Sequence, residues 1–295
     1  MKRVHIHQVD AFAQHIFGGN PAGVVTDASS LTPAEMQRIA REMNLSETAF
    51  VVPSKLPGAQ ARLRYFTPST EIDFCGHATI GTLFELARAD LYGLGRQGTH
   101  SICMENNVGT IQMSVEVGAK AIRTHFDAPK AHLQNYRLQG KEFAQAFGIN
   151  PSSIRGMVLA DTKLNYVYVP IGALDILGAI AFNQELIRQN FAADNIVAFC
   201  LYTPETFSSK AQLHVRVTCP LIGISEDPFT GSTLAGTILS AKKQGWVAAS
   251  QKITTIEQGN FLGRGGFAKV THDVATDAVR ISAGAVHVFS TVMEF

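Results

Sequence analysis

No two cysteines in this chain of 295 residues are spaced as a metal or redox pair. Cys75, Cys103, Cys200 and Cys219 form no CxxC motif, which argues against a zinc site and points to reduced thiols in the cytoplasm. The scattered histidines lack helical metal spacing, so no metal is expected. Charge is also scarce, at 17% of residues with a net charge of +1. Without clustered Lys and Arg, a nucleic-acid surface has nothing to bind phosphate with. No apolar run reaches the length of a membrane span, and Met1 to His7 alternates like a strand rather than a signal peptide. Neither G-x-x-x-x-G-K-[ST] nor a strand-borne G-x-G-x-x-G is present, which removes phosphate-loop and dinucleotide-binding readings.

What remains is an ordinary globule, 46% hydrophobic, long enough for two lobes with separate cores. An internal echo favours two. The stretch Glu71-Ile72-Asp73-Phe74-Cys75-Gly76-His77-Ala78-Thr79-Ile80-Gly81-Thr82 recurs as Glu226-Asp227-Pro228-Phe229-Thr230-Gly231-Ser232-Thr233-Leu234-Ala235-Gly236-Thr237. At one gapless offset of 155 (226 − 71), five of the twelve positions agree. In both copies a short polar turn passes a glycine and enters an apolar run at helical spacing. Ile80, Leu83, Phe84 and Ala87 form the stripe of the first copy, and Leu234, Ile238 and Ala241 that of the second. Each copy thus reads as a loop feeding a helix N-terminus. Two such ends, with their unpaired N–H groups, would hold a carboxylate if aimed into one cleft.

Along the chain, Val4 to Phe12 reads as a strand running into the glycine-rich loop Gly18 to Gly23. Thr32, Pro33 and Glu35 spell a capping box, and Met36, Ile39, Ala40 and Met43 form the stripe of a helix ending near Asn44. Strands are expected at 47–52, 61–67, 99–104, 109–116 and 121–126, a spacing that suits a curled antiparallel sheet around the first copy's helix. The lobe boundary is placed near Asp127-Ala128-Pro129. A second series follows, with helices around 141–147 and 184–191 and strands near 157–160, 166–169, 196–202 and 212–217. After the second copy, strands are expected at 253–257, 267–271, 279–282 and 285–291.

Several stretches, in order and spanning nearly the whole chain, resemble the PhzF-like family named for phenazine biosynthesis, which shares the diaminopimelate-epimerase fold. They are Gly19-Asn20-Pro21-Ala22-Gly23, Met43 to Val51, Phe66-Thr67-Pro68, Phe74-Cys75-Gly76-His77, Glu226 to Ser232, and Gln258-Gly259 with Gly263-Arg264. The resemblance implies an α+β fold of two pseudo-symmetric lobes, each a curled, mostly antiparallel sheet around a central helix, with the active site in the cleft between them. The lobes would be residues 1–127, with the last strand 285–295 returning to them, and residues 128–284. The family is usually dimeric and uses no metal or organic cofactor, so the expected partners are a small carboxylate substrate and a second copy of the chain.

The same resemblance assigns proton handling to Glu47, His77 and Asp227, and substrate binding to Asn20, Gly76, Gly231 and Ser232. Taken alone, Glu47 is an ordinary solvent-facing glutamate at a strand start. To move protons near neutral pH its pKa must rise, which burial beside Ala49, Phe50 and Val51 would achieve. Asp227 alone would be a helix cap, whereas His77 titrates near neutrality and suits a relay or a carboxylate contact. Cys75 departs from the founding isomerase and matches a catalytic cysteine of the diaminopimelate epimerases. A helix N-terminus would stabilise its thiolate, making it a candidate base. A symmetric two-thiol racemase is disfavoured because Thr230 stands at the matching position of the second copy, leaving Cys75 as filler or as partner to a carboxylate.

The expectation is a cofactor-independent isomerase that moves a proton on carbon of a small carboxylate-bearing substrate. The alternatives are an amino-acid epimerase or racemase using Cys75 with a carboxylate, and a non-catalytic small-acid binding protein. A Cys-His hydrolase is disfavoured because residues two apart at a helix start do not face each other.

Overall fold

The helix of the first repeat copy, Gly76–Arg88, buries every residue except Phe84 and Arg88. Small residues make that possible. A methyl group at Gly81 would already touch Val9 and Ala22 at 3.5–3.7 Å, so strands approach this helix closely. Of the stripe Ile80, Leu83, Phe84 and Ala87 expected for a buried helix, all but Phe84 are buried, and burial extends to the polar His77, Thr79, Thr82 and Glu85 because strands surround the helix.

The computed structural model describes residues 1–295. They form two compact units, Met1–Asp127 with Ile281–Phe295, and Ala128–Arg280. No helix is long and apolar enough to cross a membrane.

The first lobe contains β1 (Arg3–Ala11), β2 (Asn20–Val25), α1 (Pro33–Met43), β3 (Glu47–Val52), β4 (Ala61–Phe66), β5 (Glu71–Ile72), α2 (Gly76–Arg88), β6 (Gly98–Asn106), β7 (Gly109–Val117) and β8 (Ile122–Asp127). The second contains β9 (Leu133–Asn135), α3 (Gly140–Phe147), β10 (Leu159–Asp161), β11 (Tyr166–Pro170), α4 (Leu174–Ala179), α5 (Gln184–Phe191), β12 (Ala198–Thr203), β13 (Leu213–Cys219), β14 (Ile224–Asp227), α6 (Leu234–Lys243), β15 (Ile253–Gln258) and β16 (Gly266–Asp273). A final strand, β17 (Ala278–Glu294), leads out of the second unit and supplies the last strand of the first.

In the first lobe β1 pairs antiparallel with both β17 and β2, β2 runs parallel to β3, and β4 parallel to β6. The antiparallel pairs β3–β4, β6–β7 and β7–β8, with a β8–β17 contact, close the ring around α2. Where two strands were expected near the C-terminus, β17 runs unbroken for 17 residues. The register shifts between Gln8 and Val9, where Val288 of β17 is left without a partner on β1, a bulge in the longer strand.

The second lobe repeats the wiring of the first. β2‖β3, β3–β4, β4–β5, β4‖β6 and β6–β7 have as counterparts β11‖β12, β12–β13, β13–β14, β13‖β15 and β15–β16. α6 is the buried helix of this lobe, and α3, α4 and α5 close an aromatic core of Phe143, Phe147, Phe191 and Phe199 on its other side of the sheet. The α+β fold expected from the sequence is the one present, with the two parallel pairings per lobe as exceptions to antiparallel order.

The repeated glutamates explain themselves here. Arg64 on β4 grips Glu71 on β5 with two hydrogen bonds of 2.8 and 2.7 Å, and Arg216 on β13 grips Glu226 on β14 with the same two distances. Each bidentate pair fixes the short strand that delivers the chain into the central helix.

Candidate active site

In the first lobe, β2, β3 and the start of α2 bring four of the sequence-predicted residues together. The parallel register sets Ala22 opposite Glu47, two residues beyond Asn20. Glu47 is buried at the first position of β3, and its Oε2 lies 3.2 Å from Nε2 of His77. That oxygen has no in-line hydrogen bond. The other imidazole nitrogen, Nδ1, lies 3.3 Å from both Cys75 Sγ and the amide nitrogen of Asn20. Gly76 is the first residue of α2 and is buried with them.

Cys75 occupies the cap position of α2 without capping it through its side chain. Its carbonyl accepts from Thr79 Oγ1 at 2.7 Å, and Thr79 bonds the buried Tyr65 hydroxyl at 2.6 Å. This chain of hydroxyls anchors the turn that presents Cys75 and His77.

Electrostatics correct two expectations. Burial alone would raise the Glu47 pKa, but the positive charge of His77 and its hydrogen bond outweigh it, and the carboxyl titrates below its ordinary range. Burial likewise disfavours a charged His77, yet its interactions with Cys75 and Glu47 raise its pKa well above 6.5, and while Cys75 is a thiol the charge among them is that of Glu47. Glu47 and His77 are therefore an ion pair at neutral pH. Cys75 moves the other way: burial, then the neighbouring Glu47 carboxylate, push the thiol up despite its place at a helix start. At neutral pH it is a thiol, not the thiolate expected from its helix position.

The second lobe gathers the remaining predicted residues. Asp227 ends β14 and is buried; rather than capping a helix, it accepts a 2.5 Å hydrogen bond from Thr230 Oγ1 at Oδ2. Gly231 and Ser232 lie in a 3-10 turn, Gly231–Thr233, that precedes α6, so this helix starts later than the repeat suggested. Ser232 Oγ is 3.1 Å from the hydroxyl of Tyr166, whose pKa burial raises. Gln258 braces the loop, donating to the Asp227 carbonyl at 2.8 Å and accepting from the Thr230 amide at 3.1 Å. Gly259 follows with φ +90°, and a Cβ there would lie 2.6 Å from the Pro228 carbonyl. Only glycine tolerates both that conformation and that approach.

Sequence reading passed over Ser46, Tyr166, Thr230 and Gln258 as partners of these groups. Ser46 Oγ stands 3.3 Å from His77 Nε2. Gln258 had appeared within a matched motif and Thr230 at the position opposite Cys75; nothing in the sequence marks Tyr166.

Comparison with known proteins places this arrangement. The family model described as phenazine biosynthesis-like protein matches residues 9–291. The chain belongs to that family. A relative from Clostridium acetobutylicum, an uncharacterized isomerase, is 30% identical over 99% of this chain and 98% of its own. The trans-2,3-dihydro-3-hydroxyanthranilate isomerase of Pseudomonas fluorescens is 30% identical over 87% of this chain and 86% of its own. The crystal structure of a phenazine biosynthesis protein of the PhzF family from Bacillus anthracis superposes with a TM-score of 0.86 at 28% identity, covering both chains in full. The phenazine biosynthesis-like family is one of isomerases and epimerase-like folds, and this member is an enzyme of the isomerase class.

Proposed function

We propose that this protein is a cofactor-independent isomerase that takes a proton from one carbon of a small carboxylate-bearing substrate and returns it at another. Glu47 carries the proton, and Asp227 is the acid/base group of the second lobe. The groups suited to a substrate carboxylate are Asn20 and the N–H of Gly76 in the first lobe, and Ser232 and the N–H of Gly231 in the second. The observation that carries the reading is the state of Glu47: a buried carboxylate, ionised beside His77, with one oxygen lacking an in-line hydrogen bond. His77 at 3.2 Å keeps that carboxylate ionised and so able to accept a proton, at a basicity below that of a free glutamate rather than above it. His77 remains charged and stabilises Glu47 before it accepts the proton. The bonding electrons of the broken C–H stay on the substrate, shift its double bond and take up a proton elsewhere from Glu47, which exchanges with solvent, so no redox partner is required.

The Pseudomonas fluorescens relative is named for a cyclic amino-bearing acid, which motivates cyclic carboxylates as the first substrates to try. The test is incubation with a panel of such acids, trans-2,3-dihydro-3-hydroxyanthranilate among them, in deuterated water, following solvent label at carbon by mass spectrometry. One acid should exchange, and Glu47→Gln should slow that exchange by about 100-fold or more. Binding without exchange into any acid would favour a binding protein, and undiminished exchange in Glu47→Gln would remove Glu47 from the chemistry.

A further inference from the structure

Glu47, Cys75 and His77 together carry the donor atoms of a metal site. A tetrahedral zinc ion, with Zn–S about 2.3 Å and Zn–N and Zn–O about 2.0–2.2 Å, sets its ligands about 3.5 Å apart for S···N and about 3.4 Å for N···O. In the first lobe Cys75 Sγ lies 3.9 Å from His77 Nε2, and Glu47 Oε2 lies 3.2 Å from the same nitrogen. All three donor atoms lie within 4.8 Å of one another. We propose that Glu47, Cys75 and His77 form a reversible zinc site whose occupancy switches off proton transfer; the inhibitory half of this rests on the reading of Glu47 given above, the site itself does not.

Charge and donor chemistry select the ion. A thiolate, a carboxylate and a neutral imidazole around Zn²⁺ sum to zero, which suits side chains retaining only 6–7% of their exposure. Sulfur and nitrogen donors favour zinc over magnesium or calcium, which take oxygen. Glu47 Oε2 is buried beside His77 Nε2 at 3.2 Å, so loss of the imidazolium proton leaves both atoms with a lone pair for the same ion. On binding, the Cys75 thiol proton and the proton shared by Glu47 and His77 leave to solvent, and the ion occupies the lone pairs that would accept a substrate proton. The CxxC rule did not find this site because its ligands come from two elements, β3 and the start of α2. A second cluster, His7, Glu85 and His287, has comparable spacing, but Arg88 Nε bonds Glu85 Oε2 at 2.8 Å and places a fixed positive charge on the carboxylate.

Cobalt tests the site without any substrate. Chelator-treated, reduced protein titrated with CoCl2 should develop tetrahedral d–d bands and a near-ultraviolet thiolate-to-cobalt band that saturate at one equivalent, and ZnCl2 should bleach both. Cys75→Ser should lose the near-ultraviolet band and bind zinc about 100-fold more weakly or worse, while Cys103→Ser should keep the band. Absence of a thiolate band in the wild-type protein, or its persistence in Cys75→Ser, overturns the site whatever the enzyme's activity. In the exchange assay one equivalent of zinc should abolish turnover and EDTA restore it; full turnover with zinc bound overturns the switch.

Discussion

Replacing Glu226 by Gln should destabilise the protein several times more than replacing Glu71, although the two make hydrogen bonds of identical length. The surroundings differ. Arg216 and Glu226 keep 8% and 11% of their side-chain exposure, Arg64 and Glu71 17% and 28%. Arg216 is packed against the rings of Phe182 and Phe261, at 4.7 and 5.2 Å, and donates to the Leu177 and Ile180 carbonyls. It cannot turn to water when its counter-charge is lost. Removing one member of a buried pair costs 3–5 kcal/mol in general, and glutamine retains one acceptor, so about 3 kcal/mol is expected for Glu226→Gln. The more exposed Arg64–Glu71 pair is worth about 1 kcal/mol or less. For a unit of this size those figures correspond to falls in Tm of about 6–12 °C and at most about 4 °C. Calorimetry measures both, and Trp246, the single tryptophan, packed edge-on to Tyr202 in the second lobe, reports the first by fluorescence. Equal shifts, or a larger one for Glu71→Gln, would refute the argument from burial.

Other outcomes follow from the site. Because the His77 pKa is raised, its contribution to stability is complete below 6.5 and lost as pH climbs through the folded value; because that of Glu47 is lowered, its contribution is present above 4.5 and lost as pH falls through its folded value. The Tm difference between wild type and His77→Gln should therefore be largest between about pH 4.5 and 6.5 and shrink on either side. Thr230→Val removes the hydrogen bond on Asp227 and should lower kcat/KM by about 10- to 100-fold, with Tm little changed. Iodoacetamide should label Cys75 far more slowly in the native protein at pH 7.5 than in urea, with the native rate still rising at pH 9; rapid native labelling would mean that a thiolate is present.

Much of the fold was legible because local chemistry and tertiary structure agree. Thr32, Pro33 and Glu35 form the capping box their order spells, with Asn44 ending the helix at φ 51°. The short α4 escaped notice because Ala173 caps it without a side chain and it runs only six residues. The breadth of burial on α2 was invisible because a closed ring of strands is a long-range property. The repeat was legible, its purpose was not: the glutamates match at an offset of 155, whereas Arg64 and Arg216 match at 152 (216 − 64), so a gapless comparison separates each acid from its base. The grouping of Asn20, Glu47, Cys75 and His77 followed from family motifs, but the direction of their pKa shifts depended on distances no motif encodes.

The long strand β17 has a consequence for how the molecule is made. Residues 1–127 leave the ribosome with β1 and β8 lacking the neighbour that separates them, and that neighbour is translated only after the second lobe. The first lobe must wait, its cylinder open along one seam, while the second lobe can mature. A synthesis product stopped before Ala278 would carry two bare strand edges, the kind that recruit other chains.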